Sequence, residues 1–110
     1  MAREFIAVYM MTNKPYGTLY VGMTSNLIGR IRQHRNGELP GFTKKHGLTR
    51  LVWIEPHELV TGAIAREKQV KRYRREFKTN LIERDNPHWD DLYEGMLKAC
   101  GWGFKLPPGA

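Results

Sequence analysis

The stretch from Phe5 to His34 constrains the fold more than any other part of this 110-residue chain. Two short apolar runs, at about 5–12 and 18–24, flank a turn that contains a proline and a glycine, which predicts a β-hairpin. A helix is predicted next, over about 26–36, because the Thr-Ser-Asn cluster before it offers side-chain oxygens that can cap its first turn.

This stretch also places the first candidate functional residues. The first strand is apolar on both faces, which predicts a central position in the sheet. The hairpin carries Tyr9 and Tyr20, and the helix carries Arg30 and His34 one turn apart on the same flank. We therefore expect chemistry where the hairpin and the helix meet.

The rest of the chain predicts one more strand and several helices. A third strand is expected at about 50–55, after a Gly/Pro-rich segment with a single helical turn at 42–45. A long helix is expected from about Leu59 to Phe77, with a shorter one continuing towards Arg84. Its predicted buried stripe consists of Leu59, Val60, Ala63, Val70, Phe77 and Leu81.

Glu67 falls inside this apolar stripe, and the stripe is expected to face the sheet where the two tyrosines lie. A final short helix is expected at about 88–96, with Trp89, Leu92 and Met96 as docking anchors. The prediction is one α+β domain over residues 1–97, with a small three-stranded, mainly antiparallel sheet and helices packed on its faces. Residues 98–110 are expected to form a loosely attached or disordered tail.

Charge and composition narrow the class of partner. The net charge is +7, from 18 lysines and arginines against 11 acidic residues. A basic small domain favours polyanions, with nucleic acid the commonest, and the basic segments lack the apolar opposite face of a membrane-surface helix. The longest apolar run, seven residues from Phe5 to Met11, is too short to span a bilayer. The single cysteine excludes an internal disulfide, so a cytoplasmic protein is expected.

Five elements in order resemble the GIY-YIG nuclease superfamily, most closely its short free-standing bacterial branch. They are Ala7-Val8-Tyr9, Tyr20-Val21-Gly22, Arg30, His34 and Ala65-Arg66-Glu67-Lys68-Gln69. The resemblance covers about residues 4–92. The sequence departs from the family pattern at Ala7, where glycine is usual, and at Val8 and Val21, where isoleucine is usual.

The resemblance implies an endonuclease that hydrolyses DNA with Mg²⁺ or Mn²⁺ as cofactor. Glu67 matches the metal-binding carboxylate, and a hard carboxylate oxygen suits an ion that keeps water and substrate as its other ligands. Its place on an apolar face supports this role, because a buried carboxylate needs a partner. The alternative is a glutamate held in an ordinary helix salt bridge.

The resemblance also assigns roles to the other candidates. Arg30 matches an arginine that stabilises phosphate charge in the transition state, and the alternative is a solvated helix arginine. One motif tyrosine would take the proton of the attacking water; Tyr9 is favoured for this role and Tyr20 for positioning, although either could be an ordinary core residue. His34 could share the proton transfer or contact phosphate, or be an ordinary surface histidine.

A second tier of basic residues is expected to contact nucleic acid, although a solvated charged face is an equally good explanation. These residues are Lys44, Lys45, Lys68, Lys71, Arg72 and Arg75. Two rival functions stay open. One is a catalytically silent nucleic-acid-binding module of the same fold, and the other is a basic adaptor that docks on a protein through its Trp-bearing C-terminal segment. The sequence does not determine the oligomeric state.

Overall fold

The protein is built on a three-stranded antiparallel sheet, described here from a computed structural model that covers residues 6–38 and 41–100. Its strands are β1 (Ala7–Thr12), β2 (Leu19–Thr24) and β3 (Arg50–Pro56), in the spatial order β2-β1-β3. The predicted α+β class and the central position of β1 are therefore confirmed. A register shift between Met10 and Met11 interrupts the pairing of β1 with β3.

Five helices accompany these strands within the described residues. They are α1 (Leu27–Arg35), α2 (Phe42–Lys45), α3 (Val60–Arg72), α4 (Arg75–Asp85) and α5 (Tyr93–Cys100). The first of them begins and ends as the sequence predicts. The Asn26 side chain accepts a hydrogen bond from the Gly29 amide, and Gly37 follows the helix with a φ of 68°, where glycine carries no steric penalty.

The sheet has a buried cluster on each face. One face packs Tyr9, Met11 and Ile54 against α1 residues Leu27 and Ile31. The other face packs β1, β2 and β3 residues against α3, α4 and the chain after α4, through Val8, Met10, Val21, Val52, Trp53, Ala63, Val70, Ile82 and Trp89. Both faces are thus covered, as a small sheet with apolar residues on both sides requires.

The long helix predicted from Leu59 to Phe77 is wrong in its extent. It ends at Arg72, and Tyr73 adopts an extended ψ of 144° before α4 begins at Arg75. The Arg75 guanidinium donates to the carbonyl oxygens of Tyr16 and Gly17 in the hairpin turn. A contact so distant in sequence fixes the start of α4, and the local sequence carries no glycine or proline to mark the break.

The predicted buried stripe is correct in part. Ala63 and Val70 are buried and Leu81 packs half-buried against the same core cluster, whereas Leu59, Val60 and Phe77 are exposed. Because the chain turns at Tyr73, the helical phase restarts, and α4 buries Ile82 in place of Phe77. The stripe also faces the other side of the sheet from the tyrosines, since Ala63 and Val70 belong to the cluster of Val8 and Met10.

The final helix lies further along the chain than the predicted 88–96. Trp89 has a φ of 56°, a left-handed conformation that is incompatible with a helix there, and α5 begins at Tyr93. The predicted anchors nevertheless pack, because Trp89 and Met96 are buried and Leu92 is half-buried. The predicted tail lies largely outside the described residues, which end at Cys100. Within the described segments, no helix has the length and apolarity to cross a bilayer.

Candidate active site

Tyr9 lies at the centre of the candidate site, on the middle strand and almost fully buried. It pairs with Gly22 of β2, and its ring lies over that glycine. A β-carbon on Gly22 would stand 2.5 Å from the Tyr9 hydroxyl oxygen, closer than real contacts allow. The glycine therefore provides the space that the Tyr9 ring occupies, a role that sequence reasoning did not assign although Gly22 belongs to the Tyr-Val-Gly motif.

His34 meets Tyr9 from α1. The Tyr9 hydroxyl oxygen and His34 Nε2 are 2.9 Å apart, a hydrogen bond between two buried groups. His34 is 4% exposed, so the alternative of an ordinary surface histidine is wrong. Helix α1 is held in place by Arg35, which pairs with Asp91, donates to the Thr49 carbonyl and stacks on the Tyr93 ring.

Tyr20 completes a cluster of three rings. It is half-buried, with its ring centroid 6.3 Å from that of Tyr9 and 5.5 Å from that of His34. Tyr20 and Tyr9 share a face of the sheet because Met11, two residues after Tyr9, pairs with Tyr20. The structure therefore brings together three of the five predicted catalytic side chains in direct ring contact.

The environment shifts the pKa values of the central pair in opposite directions. Burial lowers the pKa of His34 to about 4, with the Arg30 charge adding to this effect. Burial raises the pKa of Tyr9 well above its usual value; the neighbouring Tyr20 and the charge of Glu67 add to this rise, and the charge of Arg30 opposes it. Both groups are consequently neutral at pH 7.

Arg30 and Glu67 supply charges of opposite sign to this cluster. Arg30 is exposed on α1, one turn before His34. Glu67 lies on α3, which packs mainly against the edge strand β2, and its side chain is 22% exposed. Its Oε1 lies 3.7 Å from Lys71 Nζ, a loose contact with a half-exposed lysine. Both charges affect the pKa of the Tyr9 phenol, Arg30 lowering it and Glu67 raising it.

Within the described residues, no group of three His, Cys, Asp or Glu side chains could hold a metal ion as a cage. Mg²⁺ does not require such a cage, because it binds through one or two carboxylates and keeps water and substrate phosphate as its other ligands. Glu67 fits this donor set, since it is a half-buried carboxylate with only a loose ion pair. The residues present are compatible with one Mg²⁺ or Mn²⁺ ion.

Ala7, which replaces the usual glycine, is accommodated without strain. It is fully buried in the same cluster as Tyr9, in regular strand pairing with Thr24 and Pro56. Its φ is not among the positive values of the described residues. The extra methyl group therefore adds to the core and leaves the Tyr9–His34 contact intact.

The second-tier basic residues lie on the surface of the protein. Lys44 and Lys45 are exposed on α2, and Lys68, Lys71 and Arg72 are exposed on α3. Arg75 has a structural contact, since its guanidinium donates to two carbonyl oxygens of the hairpin turn. The buried Asn86 side chain donates to the carbonyl oxygens of Val52 and Asp90 and accepts from the Asp90 amide, and so fixes the chain after α4.

The sequence analysis did not identify Arg66 as a residue that holds α3 in position. Its guanidinium makes two hydrogen bonds to Glu55 of β3, at 2.9 and 3.2 Å, and a third to the Tyr73 hydroxyl. This bidentate pair connects β3 with the residue directly before Glu67 and so sets the position of α3 on the sheet. The sequence offered no signal for it, because the two partners are eleven residues apart on different elements.

Comparison with known proteins agrees with this geometry. A model of the family described as the GIY-YIG catalytic domain matches residues 5–80. The chain therefore belongs to the GIY-YIG superfamily, as its motifs predicted. No solved structure matches it.

Within this superfamily, the chain is similar to short single-domain proteins that carry the name UPF0213. A relative from Syntrophus aciditrophicus is 29% identical over 86 residues, which cover 77% of this chain and 95% of the relative. A relative from Haloquadratum walsbyi is 35% identical over 60% of this chain and 74% of its own. One from Staphylococcus aureus is 33% identical over 61% and 82%, respectively. The name states no activity.

Proposed function

We propose that this protein is a metal-dependent endonuclease that hydrolyses phosphodiester bonds of DNA. The observation that carries the proposal is the buried hydrogen bond between Tyr9 and His34, on which the charges of Arg30 and Glu67 both act. A purely structural core has no need of two titratable groups, a cation and a carboxylate at one place. The family match and the net charge of +7 point to the same class of substrate.

Glu67 would hold the metal ion, which would be Mg²⁺ or Mn²⁺. When bound, the ion would neutralise charge on the phosphoryl oxygens and favour loss of a proton from water. Lys71 would give up its 3.7 Å contact with Glu67 and become available to the phosphate backbone. This exchange costs little, because ion pairs between exposed side chains contribute weakly to stability.

Tyr9 and His34 would move the proton of the attacking water. The Tyr9 oxygen accepts that proton as its own phenolic proton passes to His34 Nε2, 2.9 Å away. The pair therefore does not need a free phenolate, which the raised pKa of Tyr9 disfavours. The negative charge of a bound phosphodiester raises the pKa of His34 from its low value and makes the imidazole a better base.

Arg30 would bind the phosphate that is attacked. As the water oxygen bonds to phosphorus, charge grows on the phosphoryl oxygens, and the exposed guanidinium one turn from His34 is in a position to stabilise it. Tyr20, half-buried between Tyr9 and the surface, would orient the water or the phosphate. The leaving oxygen takes a proton from solvent after the bond to phosphorus breaks.

The test is a cleavage assay of purified protein on branched, nicked, single-stranded and double-stranded DNA, with matched RNA strands, in Mg²⁺, in Mn²⁺ and in EDTA. We expect cleavage of at least one DNA substrate, only with metal, and lost in Tyr9→Phe and His34→Gln. Binding without cleavage of any substrate would instead identify a silent nucleic-acid-binding module. No binding at all would favour a protein-docking adaptor; of the two tryptophans after α4, Trp89 is buried and Trp102 lies outside the described residues.

A further inference from the structure

A second candidate ligand site is an open groove of about 550 Å³ that runs from Tyr73, just after α3, along α4. One of its lining residues is Phe77, whose aromatic side chain is unusually exposed, at 51%. A solvent-exposed aromatic ring in a groove is a frequent contact point for a ligand. The groove is lined by Tyr73, Phe77, Asn80, Leu81 and Arg84.

The two aromatic rings of the groove form a corner. Their centroids are 6.0 Å apart and their planes are inclined at 61°, in an edge-to-face arrangement. A flat ligand can therefore stack on one ring while its rim contacts the other. The Tyr73 ring is held in place, because its hydroxyl accepts from Arg66, which Glu55 holds in turn. The corner is thus formed before any ligand arrives.

The other groups match a flat ligand with a polar rim and a negative charge nearby. Asn80 is exposed, and its amide can both donate and accept hydrogen bonds. Arg84 places a cation at the groove, where it pairs with its exposed neighbour Asp85. A nucleobase attached to a phosphate backbone has these three properties: a flat face, a polar rim and an adjacent negative charge.

The surrounding charge distinguishes a nucleic acid from an apolar protein segment. Residues 71–85, which include every residue that lines the groove, contain three acidic residues and six basic ones, which are Lys71, Arg72, Arg74, Arg75, Lys78 and Arg84. All of these basic side chains are exposed or half-exposed. A positively charged surface around the groove favours a polyanion over an uncharged apolar side chain.

We infer that this groove binds an unpaired nucleobase of the nucleic acid on which the protein acts, by stacking in the Tyr73–Phe77 corner. The inference rests on the proposed function and adds a preference for single-stranded or locally unpaired substrate. Tyr73 follows Glu67 by six residues, which is about 9 Å along a helix at a rise of about 1.5 Å per residue.

The test compares two single strands of equal length and phosphate number in EDTA, so that cleavage plays no part. One strand carries normal bases with a single 2-aminopurine, and the other carries abasic sites in place of the bases. We expect the wild type to bind the base-bearing strand at least about fivefold more tightly. We also expect quenching of 2-aminopurine fluorescence at a limited set of positions, because stacking quenches this base.

Matched variants test whether the difference in affinity between the two strands arises in this groove. Phe77→Ala should remove the difference between the two strands, whereas Phe77→Trp should keep it because the stacking surface is retained. Leu59→Ala, at a residue that is 69% exposed and outside the groove, should bind like the wild type. Circular dichroism checks the fold of each variant, and the comparison of the two strands with the wild type needs no variant.

Equal affinity of the wild type for both strands would overturn the inference even if the protein cleaves DNA, so its failure is separate from that of the proposed nuclease. Base-dependent binding that survives Phe77→Ala would also overturn it. A wild-type dimer that becomes monomeric in Phe77→Ala, measured by sedimentation, would make the groove an interface between two copies and would overturn it as well. Base-dependent binding without cleavage in metal would support the groove and contradict the nuclease.

Discussion

Tyr9 and His34 show how burial holds two titratable side chains in their neutral forms. Burial disfavours the charged form of each, so the phenol keeps its proton and the imidazole stays neutral at pH 7. Both side chains are therefore uncharged in the protein without substrate. A metal ion beside the phenol and a phosphate beside the imidazole would change both protonation equilibria in the direction that catalysis needs.

The low pKa of His34 predicts a specific loss of stability in acid. The unfolded chain takes up the proton near pH 6.5, whereas the folded protein does so only near pH 4. Stability from this group is therefore complete above pH 6.5 and falls as the pH drops to 4, by about 3 kcal/mol in total. Urea unfolding across this range measures it, and His34→Gln should flatten the slope while His88→Gln, at an exposed histidine, should not. An unchanged slope in His34→Gln would contradict the shifted pKa.

Arg30 and Arg32 provide a matched pair of exposed arginines on α1. Arg30→Ala should lower turnover by at least about 100-fold with little loss of DNA affinity, because the guanidinium acts mainly on charge that grows in the transition state. Arg32→Ala should change turnover by less than a few fold. Single-turnover rates and gel shifts of the two variants make the comparison. If Arg30→Ala weakened DNA binding and cleavage rate equally, Arg30 would be an ordinary surface arginine with no special role in the transition state.

At the scale of elements, the site depends on how three of them meet. Strand β1 carries Tyr9, helix α1 carries Arg30 and His34, and α3 carries Glu67. Arg35 fixes α1 from its far end, and the Arg66–Glu55 pair fixes α3 on β3. Strand β2 lies between them and leaves the site open only because it has glycine opposite Tyr9.

Gly22→Ala should therefore damage both stability and activity. The new methyl group would lie 2.5 Å from the Tyr9 hydroxyl, so the ring must move, and this disturbs its hydrogen bond with His34. We expect a loss of about 1–3 kcal/mol in unfolding free energy and a large loss of cleavage. Gly62→Ala in α3 is the control, because its methyl group has room and should stabilise the helix by about 0.5–1 kcal/mol. A Gly22→Ala variant with normal activity would contradict the close approach.

The sequence predicted the sheet, its order and α1 because these depend on local patterns: apolar runs, a turn and a cap. It misplaced the end of α3 because no local residue marks the break at Tyr73. The start of α4 is instead held by the contact of Arg75 with the hairpin turn, which is distant in sequence. It misplaced α5 because nothing local marks Trp89 for a left-handed backbone. For the candidate site, motif residues were sufficient to name Tyr9 and His34. Their hydrogen bond and the Arg66–Glu55 pair required the tertiary structure.

At the scale of the whole molecule, the net charge is +7, and exposed basic side chains lie on each of α1, α2, α3 and α4. If four to six phosphates are neutralised, the slope of log K against log salt should be about −3 to −5. Fluorescence anisotropy with a labelled strand between about 50 and 200 mM salt measures this slope. The double variant Lys68→Ala/Arg72→Ala should reduce it by one to two. An affinity that does not change with salt concentration would exclude these exposed basic side chains as the binding surface.

Cleavage by Glu67→Gln tests the central claim most directly. The substitution keeps the size of the side chain and removes the metal ligand, together with only a loose contact to Lys71. We expect the variant to melt within a few degrees of the wild type and to bind DNA as well or better, because one negative charge is gone. It should not cleave at any concentration of Mg²⁺ or Mn²⁺. Cleavage at the wild-type rate would remove Glu67 from the site, and a variant that fails to fold would make Glu67 a structural residue.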